Sequence, residues 1–242
     1  MNSLNIQAIS GVGLPLVLFH GWGFDSHVWV SLVAELQSSF DVYLVDLPGF
    51  GQSEPMEWDE FHQALFARLP PKFAVLGWSM GGGYAIRLAS AFPERVSYLI
   101  GVSASPKFIC DPHWPGIDVA VFDLFMKQFA VDPTKSLETF VKMQTGKAVH
   151  IDPNRLPRLP SLAAGLSLIK NWDLRSELER VPRACFMFGR LDAIVPVRTL
   201  TTMQERYPHF DYVLFEKDAH MPFISNPSRF VLELKKNLNI PG

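Results

Sequence analysis

The stretch 76-LGWSMGGGYA-85 sets one serine among glycines, between an apolar run and the start of a helical pattern. Glycine costs a helix interior about 1 kcal/mol relative to alanine, so three in a row at a helix entry demand a local reason. Gly77-Trp78-Ser79-Met80-Gly81 is a G-x-S-x-G pattern directly between a strand-like "FAVLG" and a helix-like "GYAIRLASAF". In that context the serine sits on a sharp strand-to-helix turn with its hydroxyl exposed at the end of a sheet. Flanking side chains would collide there, which accounts for Gly77 and Gly81, with Gly82 behind them. The competing reading is a glycine-rich turn whose serine caps the following helix.

Outward from the serine, apolar runs alternate with amphipathic ones: "LPLVLFHG", "HVWVSLVAELQSSF", "DVYLVDLPG", "EWDEFHQALFARL", "KFAVLGWS", "GYAIRLASAF" and "RVSYLIGVSAS". Strands alternating with helices imply right-handed crossovers and an α/β fold, with a mostly parallel sheet covered by helices on both faces. The rhythm stops from about residue 106 to 179. That segment holds "PKFICDPHWPG", helix-like pieces at 119–129 and 137–144, and the proline-rich "DPNRLPRLP". It then resumes with "RACFMFGRLD", "VRTLTTMQERY", "DYVLFEKDAH" and "PSRFVLELKKNL". The expected organisation is a core of residues 1–105 and 180–242 with a helical lid inserted at 106–179.

A chain of 242 residues, 48% hydrophobic and 19% charged, can bury one large core. Its net charge of −2 gives no global attraction to nucleic acid or an anionic membrane. No uncharged apolar run reaches the roughly 18 residues of a membrane span, and "MNSLNIQAIS" lacks a basic-then-apolar leader pattern. A cytoplasmic monomer is the expectation. Cys110 and Cys185 then read as free thiols, and no cysteine or histidine spacing suggests zinc, so neither metal nor cofactor is expected.

A serine hydroxyl needs a base within hydrogen-bond reach. Of seven histidines, His220 follows the strand-like "DYVLFE" in a loop near the chain's end, which suits delivery to the serine. His27, His62, His113, His150 and His209 read as surface or packing residues. His20, in "FHGWG", reads as a support for its loop, where the backbone N–H groups of Trp22 and Met80 form an oxyanion hole. The third member should be an acid between serine and histidine in chain order. Asp192 occupies the expected strand exit. Asp218 is its rival but lies too close to His220 in sequence to reach the far ring nitrogen easily, and Asp173 looks like a helix-terminal or lid residue.

Taken together, "HGWG", "DLPGFGQS", "GWSMGG", "FPERV", "WPGI", "FVKMQT" and "HMPFISNP" resemble the α/β-hydrolase family and, within it, the pimeloyl-acyl carrier protein methyl ester esterases. The resemblance covers nearly the whole chain outside the middle of the lid. It implies a serine carboxylesterase that removes a methyl ester from a carrier-bound pimeloyl chain in biotin synthesis. It also implies substrate contacts at Trp22, Ser79, Met80, Phe140, Val141, Lys142, Met143, Gln144 and His220. Independently, Asp132 and Pro133 suit a helix cap and first turn. Leu137, Phe140, Val141 and Gln144 share a helical face that either lines an acyl channel or packs the lid on the core. Between residues 127 and 170 seven basic residues (Lys127, Lys135, Lys142, Lys147, Arg155, Arg158, Lys170) face three acids (Asp132, Glu138, Asp152). That is a basic surface for an acidic carrier protein, or simply a solvated lid. One departure from the family pattern is a shorter stretch after Gln144, where Pro157 and Pro160 are expected to interrupt a basic helix. A general short-chain carboxylesterase and a carbon–carbon bond hydrolase share this core and triad. Dehalogenases and epoxide hydrolases of the fold need an aspartate where Ser79 stands. A binding module that has lost catalysis remains as a reading from another class.

Overall fold

The computed structural model describes residues 3–145 and 157–240. Among these, seven strands form one sheet: β1 (Ile6–Ile9), β2 (Leu14–Phe19), β3 (Phe40–Val45), β4 (Phe73–Trp78), β5 (Val96–Val102), β6 (Ala184–Gly189) and β7 (Asp211–Phe215). Their spatial order is β1-β3-β2-β4-β5-β6-β7, and every neighbouring pair is parallel except β1 with β3. Every residue of β4 and of β6 is buried, as parallel strands covered on both faces require. The sequence rhythm began only at "LPLVLFHG" and missed β1, because four residues at a sheet edge are too few to declare a period.

Side-chain alternation along the strands divides the core in two. On one face Leu16 and Leu18 of β2 join Leu32 and Leu36 of α1 (Val30–Leu36) and Phe230 and Leu234 of α10 (Pro227–Asn237). On the other, Val17 and Phe19 join side chains of α2 (Trp58–Phe66), α3 (Met80–Ala91) and α8 (Arg198–Arg206). The short α9 (Pro222–Ser225) follows β7. Among the described residues no helix is long and apolar enough to cross a membrane, and Cys110 and Cys185 are free thiols.

Between β5 and β6 the described chain adds no strand to the sheet. It forms α4 (Val119–Val131), α5 (Pro133–Thr145), α6 (Leu159–Asn171) and α7 (Arg175–Glu179). Asp118 starts α4 by accepting the Ala120 N–H at 2.8 Å, and Asp132 caps α5 by accepting the Lys135 N–H at 3.0 Å. Pro160 does not interrupt a helix as expected; it lies in the first turn of α6, where a missing N–H leaves no bond unmade. α7 packs on α3.

The two ends of this segment are tied together. Lys107 Nζ lies 3.0 Å from both Asp111 and Asp173, and Arg175 lies 3.0 Å from Asp111 and 2.5 Å from Asp173. The Leu174 N–H donates to the Pro106 carbonyl at 2.8 Å. The Arg175 hydrogen bonds, reinforced by Lys107, hold the Asp173 carboxyl well below the usual carboxylate range. A carboxyl depressed in the folded state stabilises above its unfolded pKa of about 3.9 and loses that contribution as pH falls through the folded value. The Asp173 side chain is 40% exposed, so solvent screens the cluster. Asp173→Asn is expected to lower Tm at pH 7 by about 1–3 °C, with the gap narrowing below about pH 3.9. Thermal melts across that range check it.

Candidate active site

β4 ends at Trp78 and α3 begins at Met80, so the chain turns within Ser79, whose backbone is held at φ 54° and ψ −119°. Its N–H donates to the Val102 carbonyl at 3.0 Å, and its carbonyl accepts the Gly82 N–H at 2.8 Å. A Cβ on Gly77 would stand 2.2 Å from the Gly81 carbonyl oxygen, and one on Gly81 would stand 2.5 Å from the His20 carbonyl oxygen. Only glycine permits these approaches. The Ser79 hydroxyl makes no capping bond to α3, so the helix-cap reading fails; the side chain lines a cavity instead.

The loops after β6 and β7 leave the sheet at the same end as Ser79, because all three strands are parallel. They bring His220 and Asp192 together: His220 Nδ1 donates to Asp192 Oδ2 at 2.7 Å, with both side chains buried. The other Asp192 oxygen accepts the N–H groups of Ile194 and Val195 at 2.8 and 2.9 Å, which fixes the carboxylate from behind. Asp218 is turned elsewhere, accepting the Ser225 hydroxyl at 2.6 Å. His220 Nε2 has no hydrogen-bond partner among the described residues, Ser79 included.

Trp78, passed over in the sequence as the variable residue of the motif, positions the histidine. Its indole N–H donates to the His220 carbonyl at 2.9 Å, and its ring lies 5.7 Å from the imidazole. Phe24, Trp29 and Phe223 pack around it. The only signal was a large aromatic beside the serine on a strand that points it to the opposite face. Trp78→Phe keeps the packing and removes the tether. It is expected to lower kcat for any ester the protein hydrolyses by about tenfold with KM little changed, as steady-state kinetics would show.

His20 is fully buried and takes no part in the His220–Asp192 pair. Its Nε2 accepts the Leu47 N–H at 3.0 Å and its Nδ1–H donates to the Gly21 carbonyl at 2.8 Å, so the neutral ring bridges the loops after β2 and β3. Burial pushes its pKa down. The unfolded chain therefore binds the extra proton first, and stability should fall as pH drops below about 6.5. His20→Asn should flatten the dependence of Tm on pH between about 6.5 and 5, a comparison of melts at those two values.

Trp22 follows immediately. Its indole is buried, donates to the Leu162 carbonyl at 2.8 Å and meets Phe125, Phe129 and Phe140 edge-on at 6.0, 5.7 and 5.0 Å. The side chain is thus committed to α4, α5 and α6. Among the described residues neither its backbone N–H nor that of Met80 has a hydrogen-bond acceptor. The Met80 side chain is buried in the core.

The cavity over Ser79 has a volume of about 310 Å³ and largely apolar walls, including Phe108, Phe122, Leu166 and Ile194. Phe140 and Met143 line it from α5. Leu137 and Val141 turn away, each 1% exposed, as does Gln144, whose buried amide atoms have no hydrogen-bond partner among the described residues. The helical face expected to line a channel is therefore divided: Phe140 serves the cavity while Leu137, Val141 and Gln144 pack inward. Lys142 is exposed. Of the basic residues between 127 and 170, Lys127, Lys135 and Arg158 are also exposed, Lys170 pairs with Asp123 at 2.5 Å, and Lys147 and Arg155 lie outside the described residues. His62 pairs with Asp59, His27, His113 and His209 are exposed, and His150 is outside the described residues.

The chain belongs to the alpha/beta hydrolase family, which matches residues 16–234. A pimeloyl-acyl carrier protein methyl ester esterase from Legionella pneumophila (strain Lens) is 45% identical over 223 residues, spanning 91% of this chain and 93% of that protein. One of the same name from Aliivibrio salmonicida (strain LFI1238) is 38% identical, spanning 94% and 93%. Among solved structures, an esterase from Exiguobacterium antarcticum superposes with a TM-score of 0.86 at 21% identity, covering 98% of this chain and 96% of that one. A bromoperoxidase from Bacillus anthracis superposes at 0.85 and 22% identity, with 99% and 100% covered. At such identities the structures speak for the shared fold alone.

Proposed function

We propose that this protein is a serine carboxylesterase working through an acyl-enzyme on Ser79. The observation that carries the reading is the 2.7 Å His220–Asp192 hydrogen bond at the sheet end where Ser79, held at φ 54°, faces an apolar cavity. As Ser79 Oγ attacks the ester carbonyl, His220 Nε2 accepts its proton, and Asp192 holds the Nδ1–H tautomer and stabilises the imidazolium. The N–H groups of Trp22 and Met80 receive the negative charge on the former carbonyl oxygen, each such donor contributing about 3 to 4 kcal/mol. His220 returns the proton to the departing alkoxide, then takes one from the water that frees the acyl group as a carboxylic acid. No step requires a metal or cofactor.

The substrate we assign is the methyl ester of a pimeloyl chain on acyl carrier protein. Support comes from the relatives of that name at up to 45% identity and from cavity walls suited to an alkyl chain. Exposed Lys127, Lys135, Lys142 and Arg158 offer an acidic carrier a cationic approach. The helices from α4 to α6 act as the lid, and a cytoplasmic monomer suits a reaction whose only co-substrate is water.

A fluorophosphonate should label the intact protein and leave Ser79→Ala unlabelled. Hydrolysis of p-nitrophenyl butyrate should fall about 10³-fold or more in Ser79→Ala and in His220→Ala. Near-normal turnover in either variant removes the assignment. Carrier-bound pimeloyl methyl ester should be preferred over simple methyl esters in kcat/KM; equal values would favour a general carboxylesterase.

A further inference from the structure

A cavity of about 580 Å³ lies across α6 from the one over Ser79, and its size is within the roughly 300–1,000 Å³ of small-molecule sites. The two share no lining residue: Leu166 and Ile169 of α6 face the cavity over Ser79, whereas Ser161, Ala164, Gly165 and Leu168 face this one. Its other walls come from the segment before α2, from α2 itself and from α3. The acyl-transfer steps make no use of it.

Two side chains of α3 meet there. Tyr84 and Arg87 are neighbours on the helix surface, and both line the cavity. Arg87 is half-buried, and its guanidinium carbon lies 4.0 Å from the centre of the Trp58 ring. That contact covers the cation without engaging its N–H donors. Asp59 and Glu177 lie near it, yet among the described residues Arg87 makes no ion pair and no side-chain hydrogen bond. Its donors form a planar fork that matches the two oxygens of a carboxylate. Beside it, the Tyr84 ring is held by Phe61 and Trp172 at 5.5 and 5.3 Å, and its hydroxyl has no hydrogen-bond partner among the described residues. Burial pushes its pKa up to about 12, so near neutrality it remains a donor. An unpaired, half-buried guanidinium next to such a hydroxyl is a seat for an anion.

The cavity also carries negative charge. Glu57, exposed where the chain enters α2, has no ion pair and no side-chain hydrogen bond among the described residues. Glu60 lines the same cavity one turn further on. Neither is ion-paired with Arg87, so one cavity presents charges of both signs held apart. Apolar Met56, Phe61 and Leu168 contribute to its walls. A plain carboxylate would leave the two glutamates facing an anion, and a plain amine would leave Arg87 facing a cation. A chain with a carboxylate at one end, an ammonium at the other and methylenes between them satisfies every wall.

We propose that this cavity binds an ω-amino carboxylic acid, with its carboxylate on Arg87 and the Tyr84 hydroxyl and its ammonium toward Glu57. The site is separate from the triad, and its occupancy does not depend on the chemistry at Ser79.

The test is titration calorimetry at pH 7 with γ-aminobutyrate, ε-aminocaproate and ω-aminocaprylate, each beside the alkanoate, the alkylamine and the α-amino acid of its own chain length. At least one ω-amino acid should bind about tenfold more tightly than all three of its controls, with the advantage shrinking as salt rises. Arg87→Met keeps a chain over Trp58 and should reduce that ω-amino acid to the affinity of the alkylamine. Glu57→Gln should reduce it to the affinity of the alkanoate. Tyr84→Phe should weaken the alkanoate and the ω-amino acid alike and leave the alkylamine unchanged. Arg87→Gln repeats the reading if thermal melts show that Arg87→Met disturbs folding. Absence of binding, a control that binds as tightly as its ω-amino acid, or an advantage that survives the changes at Arg87 and Glu57 overturns the site. The esterase reading is judged separately, by hydrolysis in Ser79→Ala, which should bind these probes as the unmodified protein does.

Discussion

The backbone at Ser79 is the constraint on which the site depends. An L-residue at φ 54° and ψ −119° is strained, at a cost of about 1–3 kcal/mol, and such strain persists only where its surroundings overdetermine it. Here β4 is hydrogen-bonded to β2 on one side and β5 on the other, so the strand cannot yield. α3 cannot withdraw either, because Gly81 rests against the carbonyls that end β2. The turn is squeezed between a sheet and a helix fixed on other grounds. Its consequence is chemical: the hydroxyl is denied the helix cap and faces the cavity, while the first N–H of α3 lies beside it.

Two tryptophans distribute that constraint through the site. Trp78, on the strand that leads to Ser79, holds the backbone of His220 from beneath, so Ser79 and His220 are referred to the same strand. Trp22 does the corresponding work above, binding Leu162 through its indole and packing among phenylalanines of α4 and α5. The backbone assigned to the oxyanion hole and the helices over the cavity therefore share one anchor. The Lys107–Asp111–Asp173–Arg175 cluster closes the same helical segment where it leaves the core. Exposed Val121, Leu124 and Met143 line the same cavity and give it an apolar edge.

The alternation of apolar and amphipathic runs was enough to declare a parallel sheet, since buried strands such as β4 and β6 have no polar position to spare. G-x-S-x-G marked the turn because its glycines answer a purely local collision. Where a reading needed a partner distant in the chain, it ran out. The face containing Leu137, Phe140, Val141 and Gln144 was correctly helical, yet periodicity states which residues share a side and not what that side meets. Pro160 looked like a breaker because proline's effect depends on where a helix begins, and the start of α6 carries no separate signal strong enough to place it.

From sequence alone came the fold class, the serine at its turn, and the candidate acid and base, all of which follow from neighbours in the chain or from strand order. Tertiary structure set Asp192, and not Asp218, against His220, because a hydrogen bond to Nδ1 depends on the angle at which two loops leave adjacent strands. It also revealed Trp78 as the tether of His220 and Trp22 as the anchor of the helices above the cavity, contacts spanning 142 and 140 residues. A linear pattern encodes which side chains a segment offers; which distant groups they touch is set only when the sheet and the helices over it close around them.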